Sequence, residues 1–223
     1  MAKTLAETIK KITKEHIDKN NGVVMGQCLS AVGWVQNTVP PQSKGIIEFP
    51  MTDVAGAGFA VGAAVGGAKP IFILRFQSFL WLNASPIINH AARVKEIFGY
   101  SAPLFIRAIA SEGPSSGPLH TNCYHSPFAH MPGLPICAPM TPNEYLSIWK
   151  SFINSDKPLL VSEHRRSYKE KDEFKDYTNI KSKISVFVIS ASRFEISKVQ
   201  KKLKDQNIEI DIFHLVWLKP FKI

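Results

Sequence analysis

The chain has 223 residues, 45% hydrophobic and 20% charged, enough to bury a core as one large domain or one domain plus part of another. That composition excludes a disordered or fibrous protein. The net charge of +9 raises nucleic acid as a partner, but the lysines are scattered and no aromatic-interleaved basic stripe accompanies them, so a solvated basic surface and no nucleic-acid site are expected.

From the amino terminus, Leu5, Ile9, Ile12 and Ile17 recur at near-helical spacing, which predicts an amphipathic helix over residues 4–19, ended by Gly22. Lys3, Glu7, Lys10 and Lys11 break any apolar run there, so the segment does not read as a secretory signal and a cytoplasmic protein is expected. Val23-Val24-Met25 reads as a first buried strand and Ile46-Ile47-Glu48-Phe49 as a second, closed by Pro50. Thr52 or Asp53 can cap the following helix, residues 54–66, whose repeated Gly and Ala allow close backbone packing against a neighbour. Residues 54–74 are interrupted by Lys69-Pro70, whereas a membrane span needs about 20 predominantly apolar residues. A third strand over residues 70–76, a long helix from 83 to 98 and a fourth strand over 103–108 come next. A Gly, Pro and Ser loop over 111–117 leads into a histidine-rich stretch, a helix over 143–154 and a strand over 159–162. Strands alternating with helices imply an α/β fold with a mostly parallel, helix-covered sheet, whose ligands gather beyond the carboxyl ends of the strands.

Residues 169–183 are polar and charged, which suits a linker, and 184–190, 195–204 and 208–214 read as a strand, helix, strand unit. That unit falls short of the roughly 50 residues of an independent domain. The expected division is therefore a domain over 1–168, a linker over 169–183 and, over 184–223, the first part of a truncated carboxyl-terminal α/β domain. Cys28, Cys123 and Cys137 share no metal-like spacing, and their odd number argues for reduced thiols. His120, His125 and His130 recur at a spacing that fits neither one helix face nor a usual zinc pair, so no metal site is expected from them.

Three patterns carry chemistry: Pro50-Met51-Thr52-Asp53-Val54-Ala55-Gly56, Arg75-Phe76-Gln77-Ser78-Phe79, and the stretch from His120-Thr121-Asn122 to Ala129-His130-Met131-Pro132-Gly133-Leu134. In this order and at these separations they resemble the β subunits of the pyruvate-type and branched-chain 2-oxo acid dehydrogenases, thiamine-diphosphate enzymes with a transketolase-like pyrimidine-binding domain. The likeness continues through Pro139-Met140-Thr141-Pro142, Ser162-Glu163-His164 and Leu215-Val216-Trp217-Leu218-Lys219-Pro220.

The resemblance implies a cofactor, thiamine diphosphate, seated between this domain and a diphosphate-binding domain with a Gly-Asp-Gly motif. This sequence has no Gly-Asp-Gly, so magnesium and the diphosphate would be held by an α-type partner, in an assembly of two α and two β chains. The implied activity is decarboxylation of a 2-oxo acid with transfer of the acyl group. A transketolase-like or carboligating enzyme with a sugar substrate, and a non-catalytic scaffold subunit, are the alternatives.

Residue by residue, Asp53 stands where the family has a glutamate that hydrogen-bonds a ring nitrogen of the aminopyrimidine and so takes part in proton transfer. Its side chain is one methylene shorter, about 1.5 Å less reach; the competing reading is a mere helix N-cap. His120 matches the histidine that faces the reaction centre, where an imidazole can assist proton transfer. Phe79 matches the aromatic that stacks on the aminopyrimidine; the competing reading is a core phenylalanine. Gln27 replaces a carboxylate common in the family, and Arg75, in place of a glutamine or methionine, can pair with Asp53 or with an anionic substrate. The expected catalytic residues are thus Asp53 and His120, and the expected cofactor-binding residues Gln27, Asp53, Arg75 and Phe79. Glu163-His164-Arg165-Arg166 resembles a family turn assigned to packing and subunit contacts, and substrate choice is expected in the loop over 113–119.

Overall fold

The structure, a computed structural model, describes residues 3–30, 33–112 and 117–221; residues 113–116 of the expected substrate-selecting loop lie outside the described residues. The chain runs α1 (Leu5–Asn20), β1 (Val24–Gly26), β2 (Ile46–Glu48), α2 (Asp53–Val65), β3 (Ile71–Leu74), α3 (Val94–Phe98), β4 (Phe105–Ala110), α4 (His125–Ala129), β5 (Ile136–Cys137), α5 (Pro142–Ile153), β6 (Leu159–His164), β7 (Ser185–Ile189), α6 (Ser192–Lys204), β8 (Asp211–Leu215) and β9 (Trp217–Lys219). One sheet has the order β2-β1-β3-β4-β6-β5-β9. It is parallel throughout except for β9, which runs antiparallel to β5. β7 and β8 form a separate parallel pair. The fold is α/β, with a mostly parallel, helix-covered sheet.

The two faces of the sheet follow the alternation of side chains along each strand. Ile71, Ile73, Phe105 and Ile109 point to a core closed by Leu5, Ile9 and Ile12 of α1 and by Tyr145, Ile148 and Phe152 of α5. Phe72, Leu74, Ile106 and Ala108 point the other way, to Ala57, Ala60, Val61 and Ala64 of α2 and to Ile87 and Ala91. Thr4 opens α1 with a capping box: the Glu7 N–H donates to Thr4 Oγ1 at 3.2 Å and the Thr4 N–H to Glu7 Oε2 at 2.7 Å. The helix closes on Asn21, left-handed at φ 50°, and not on Gly22.

The long helix expected over 83–98 is instead broken into a π-helical turn (Pro86–Ala91) and α3, and a 3-10 turn (Gln77–Leu80) precedes it. Pro86 has no N–H to give and its ring obstructs the preceding carbonyl, so a continuous ladder cannot pass it. The chain widens there, with the Ala92 N–H donating to the Ile87 carbonyl at 3.0 Å. Gly133 packs against this segment. At φ 75°, an added Cβ would stand 2.1 Å from the Ala92 carbonyl oxygen. Gly133→Ala is expected to cost at least about 2 kcal/mol of stability, read by urea unfolding, because steric overlap adds to left-handed strain.

Beneath the carboxyl edge of the sheet lies a fully buried ionic network. Glu163 on β6 accepts from Arg107 Nε at 2.6 Å and Arg107 Nη2 at 2.8 Å, from Tyr145 OH at 2.8 Å and from Tyr168 OH at 2.6 Å. Arg107 Nη2 also donates to Thr38 Oγ1 at 2.8 Å. Two strands, α5 and the turn after β6 are thereby tied together.

His16 supplies a pH-sensitive contact in the core. Its Nε2 lies 2.8 Å from the Lys69 carbonyl, which can only accept, so Nε2 carries a proton. Burial pushes its pKa below the ordinary histidine value, as it does for His125, His164 and His214. A depressed histidine pKa means that the unfolded chain takes up protons first. Stability is therefore full at neutral pH and is lost as pH falls below about 6.5. The melting temperature is expected to drop between pH 7 and pH 5, with a shallower drop in His16→Gln, which keeps a donor for Lys69.

Candidate active site

From β1 the chain steps outward to β2, and from β3 it steps the other way to β4, so the connections leaving the carboxyl ends of these two paired strands diverge. Such a switch point is where open parallel sheets hold ligands. Gln27 follows β1, Arg75 follows β3, and Asp53 opens α2 on the connection between them. With Phe79 from the 3-10 turn they line one cavity, together with Phe49 and Asn83. The four residues expected to bind the cofactor are brought together here. The space left among them is about 10 Å³, room for one water.

Asp53 is half-buried at the first position of α2, where the helix dipole favours an anion. Its carboxylate has no hydrogen-bond or ion-pair partner among the described residues. Neither capping expectation holds: the Thr52 side chain makes no cap bond and donates instead to the Pro50 carbonyl at 3.2 Å. Arg75 does not pair with Asp53. Its Nη1 donates to Gln27 Oε1 at 3.2 Å, and its guanidinium lies 5.0 Å from the Phe79 ring centre and 5.5 Å from that of Trp34. Arg75 is 8% exposed, and its Nε has no partner.

His120 stands beside this cavity. Its ring stacks on Phe76 at 4.4 Å, meets Phe79 edge-on at 5.4 Å and places Nδ1 3.3 Å from Ser78 Oγ. Nε2 has no hydrogen-bond partner among the described residues. His125 and His130 do not join it. His125 Nδ1 lies 3.1 Å from Ser162 Oγ and 3.0 Å from Cys123 Sγ, and His130 is an exposed cap of α4. Burial pushes the Cys123 thiol up and the His125 imidazole down, so both stay neutral. Among the described residues, no group of three or more His, Cys, Asp or Glu could hold a metal ion.

Gln77 braces the segments around the cavity. Its Nε2 donates to the Ala108 carbonyl at 3.0 Å and to Ser162 Oγ at 2.7 Å, while Oε1 accepts from the Tyr124 N–H at 2.7 Å. These three bonds hold the Phe79 turn, β4, β6 and the His120 segment in register.

Two residues at the site escaped sequence reasoning. Trp34 lies edge-on to Phe76 at 5.0 Å. Arg165, expected at a surface or subunit contact, places its guanidinium 4.5 Å over Phe76 and donates from Nη2 to the Arg75 carbonyl at 2.7 Å and the Trp34 carbonyl at 3.1 Å. It has no carboxylate partner among the described residues, and burial lowers its pKa from the ordinary arginine value. A signal existed in the sequence, since Arg165 directly follows a strand that ends at the ligand edge.

The family described as transketolase, pyrimidine binding domain matches residues 3–171. The chain is 28% identical over 176 residues to 2-oxoisovalerate dehydrogenase subunit beta of Bacillus subtilis, covering 73% of this chain and 52% of that protein. It is 27% identical over 236 residues to pyruvate dehydrogenase E1 component subunit beta of Chlorokybus atmophyticus, covering 97% and 70%. The chain thus spans about half the length of the first of these relatives. A solved transketolase of Pichia stipitis superposes with a TM-score of 0.80 at 16% identity over 99% of this chain and 36% of that one. A split-gene transketolase, an inactive beta4 tetramer, superposes with a TM-score of 0.75 at 13% identity, over 99% and 74%; at these identities the likeness is one of fold. With six of the seven strands of the sheet, the switch point and the cavity inside the matched residues, this chain belongs to the transketolase pyrimidine-binding-domain family.

Proposed function

We propose that this chain is the β-type, pyrimidine-side subunit of a thiamine-diphosphate-dependent 2-oxo acid dehydrogenase, completed by an α-type partner. The observation that carries the reading is the unpartnered Asp53 carboxylate sharing one cavity with the Phe79 ring at the switch point. A carboxylate to meet a ring nitrogen, an aromatic face to stack on and the Gln27 amide fit an aminopyrimidine in kind.

Thiamine diphosphate, when bound, supplies the electron sink for cleavage beside a carbonyl. In this reading Asp53 holds the ring nitrogen, Phe79 fixes the ring plane, and His120 holds or moves a proton at Nε2 beside the substrate. Arg165, a half-buried cation without a carboxylate, supports an anionic substrate such as a 2-oxo acid. In this reading magnesium and the diphosphate are held by the partner.

The outer face of α2 supports such a partner. Val54 is 57% exposed and Phe59 69%, and nothing stands within 4 Å of a Cβ added at Gly58 or Gly62, so the helix next to Asp53 presents an apolar, close-packing surface. We place two α with two β chains in the assembly, in a reducing, cytoplasmic compartment in keeping with three free cysteines. No helix among the described residues is long and apolar enough to cross a membrane. The division into 1–168, a 169–183 linker and an α/β unit over 184–223 belongs to the same proposal, supported by the separate β7-β8 pair.

The test is calorimetric titration of thiamine diphosphate and magnesium into this chain mixed with its α-type partner. Saturable heat is expected, and a stable complex without it would reject the catalytic reading. The nearly filled cavity favours one second reading, a scaffold subunit, and that negative result is its expected outcome.

A further inference from the structure

We propose that Arg75 is a gate: in the free chain its guanidinium occupies the face of Phe79 that a ring-bearing ligand needs, and ligand entry requires this side chain to swing out. The inference rests on reading the cavity as the seat of such a ring. Small-molecule sites commonly enclose about 300–1,000 Å³, whereas the cavity among Gln27, Asp53, Arg75 and Phe79 has about 10 Å³ free. The residues fit an aminopyrimidine in kind, but the space does not. What fills it is Arg75, drawn over the rings of Phe79 at 5.0 Å and Trp34 at 5.5 Å.

The way Arg75 is held suits a movable part. Its backbone is fixed, because its carbonyl accepts from Arg165 Nη2 at 2.7 Å and the preceding residue, Leu74, is paired in the sheet. Its side chain is not. The charged head has one hydrogen bond, to Gln27 at 3.2 Å, and a contact at 3.8 Å to the sulfur of Met51, itself 67% exposed at the rim. No carboxylate anchors it among the described residues, and its buried Nε is unpaired. On leaving, the guanidinium gives up one hydrogen bond and two ring contacts and regains water at its charged head and its unpaired Nε. Phe79, Gln27 and the free Asp53 carboxylate would then face one open slot.

The experiment titrates thiamine, which lacks the diphosphate and so reports on the pyrimidine side alone, into the isolated full chain by calorimetry. Arg75→Ala is expected to bind at least about tenfold more tightly than the unaltered chain, and Arg75→Gln, shorter and neutral, to move in the same direction, with melting temperatures confirming that both fold. Adding Phe79→Ala to Arg75→Ala should abolish the gain. Binding by Arg75→Ala and Arg75→Gln that is no tighter overturns the gate, and weaker binding overturns it by making the guanidinium a ligand contact. Either result leaves the functional reading intact if the complex with the α-type partner still binds thiamine diphosphate; loss of that binding rejects the functional reading instead.

Discussion

Glu163→Ala is expected to cost about 3–5 kcal/mol, the usual penalty for leaving one half of a buried ion pair alone. Against a typical domain stability of about 5–15 kcal/mol, such a loss brings the chain close to unfolding at room temperature. The carboxylate takes four hydrogen bonds at 2.6–2.8 Å, and without it the fully buried Arg107 guanidinium has only Thr38 to answer it. Burial alone would lower the Arg107 pKa; Glu163 and the tyrosine hydroxyls nonetheless carry it above its ordinary value. Burial and the same carboxylate push Tyr145 and Tyr168 well up, so their hydroxyls remain donors. Urea unfolding checks the magnitude. The double variant Arg107→Met with Glu163→Leu should lose less than Glu163→Ala, since removing both charges spares the desolvation left by removing one. A cost below about 1 kcal/mol for Glu163→Ala would show that water reaches the network. Because β6 runs from Glu163 into His164 and Arg165, a loosened network should also weaken any anion held by Arg165.

Asp53→Ala, assayed with the cognate α-type chain, should lower turnover by about 10²–10⁴-fold, the range supplied by a positioned acid or base. Its effect on stability should stay within about 1 kcal/mol, because the carboxylate has no partner in the fold beyond the dipole of α2. That split separates a ligand-binding role from a cap, which would show the reverse. Asp53→Glu should retain or raise activity, since the added methylene extends reach by about 1.5 Å toward the same cavity. Full activity in Asp53→Ala would remove this residue from the mechanism.

Much of the architecture was legible in the sequence because local rules decide it. Leu5, Ile9 and Ile12 at helical spacing bury one face of α1, and the apolar runs at Ile71–Leu74 and Phe105–Ala110 are long enough for central strands buried on both faces. Gln27, Asp53, Arg75 and Phe79 were named from motif order, and they meet because each follows or opens an element at the carboxyl edge of one parallel sheet.

The remainder depended on contacts distant in the chain. Strands β5 and β9, of two and three residues, carry too little pattern to be seen; β5 exists because it pairs with β6 and β9, and β9 because it pairs with β5 at the sheet edge. The break-up of the 83–98 helix followed from Pro86, whose local cost was legible but whose π-helical resolution depended on packing against α2 and Gly133. The role of Arg165 was hidden for a similar reason. A charged residue near a strand end reads as surface, and only the fold puts Trp34, Arg75 and Phe76 around it. Sequence by itself determined the longer strands and helices, their alternation and the residue types offered at the ligand edge, because spacing and propensity act within a few residues. The tertiary structure alone decided that the Asp53 carboxylate stays free while Arg75 turns to Gln27 and the two rings, because that choice is set by neighbours brought from four separate segments of the chain.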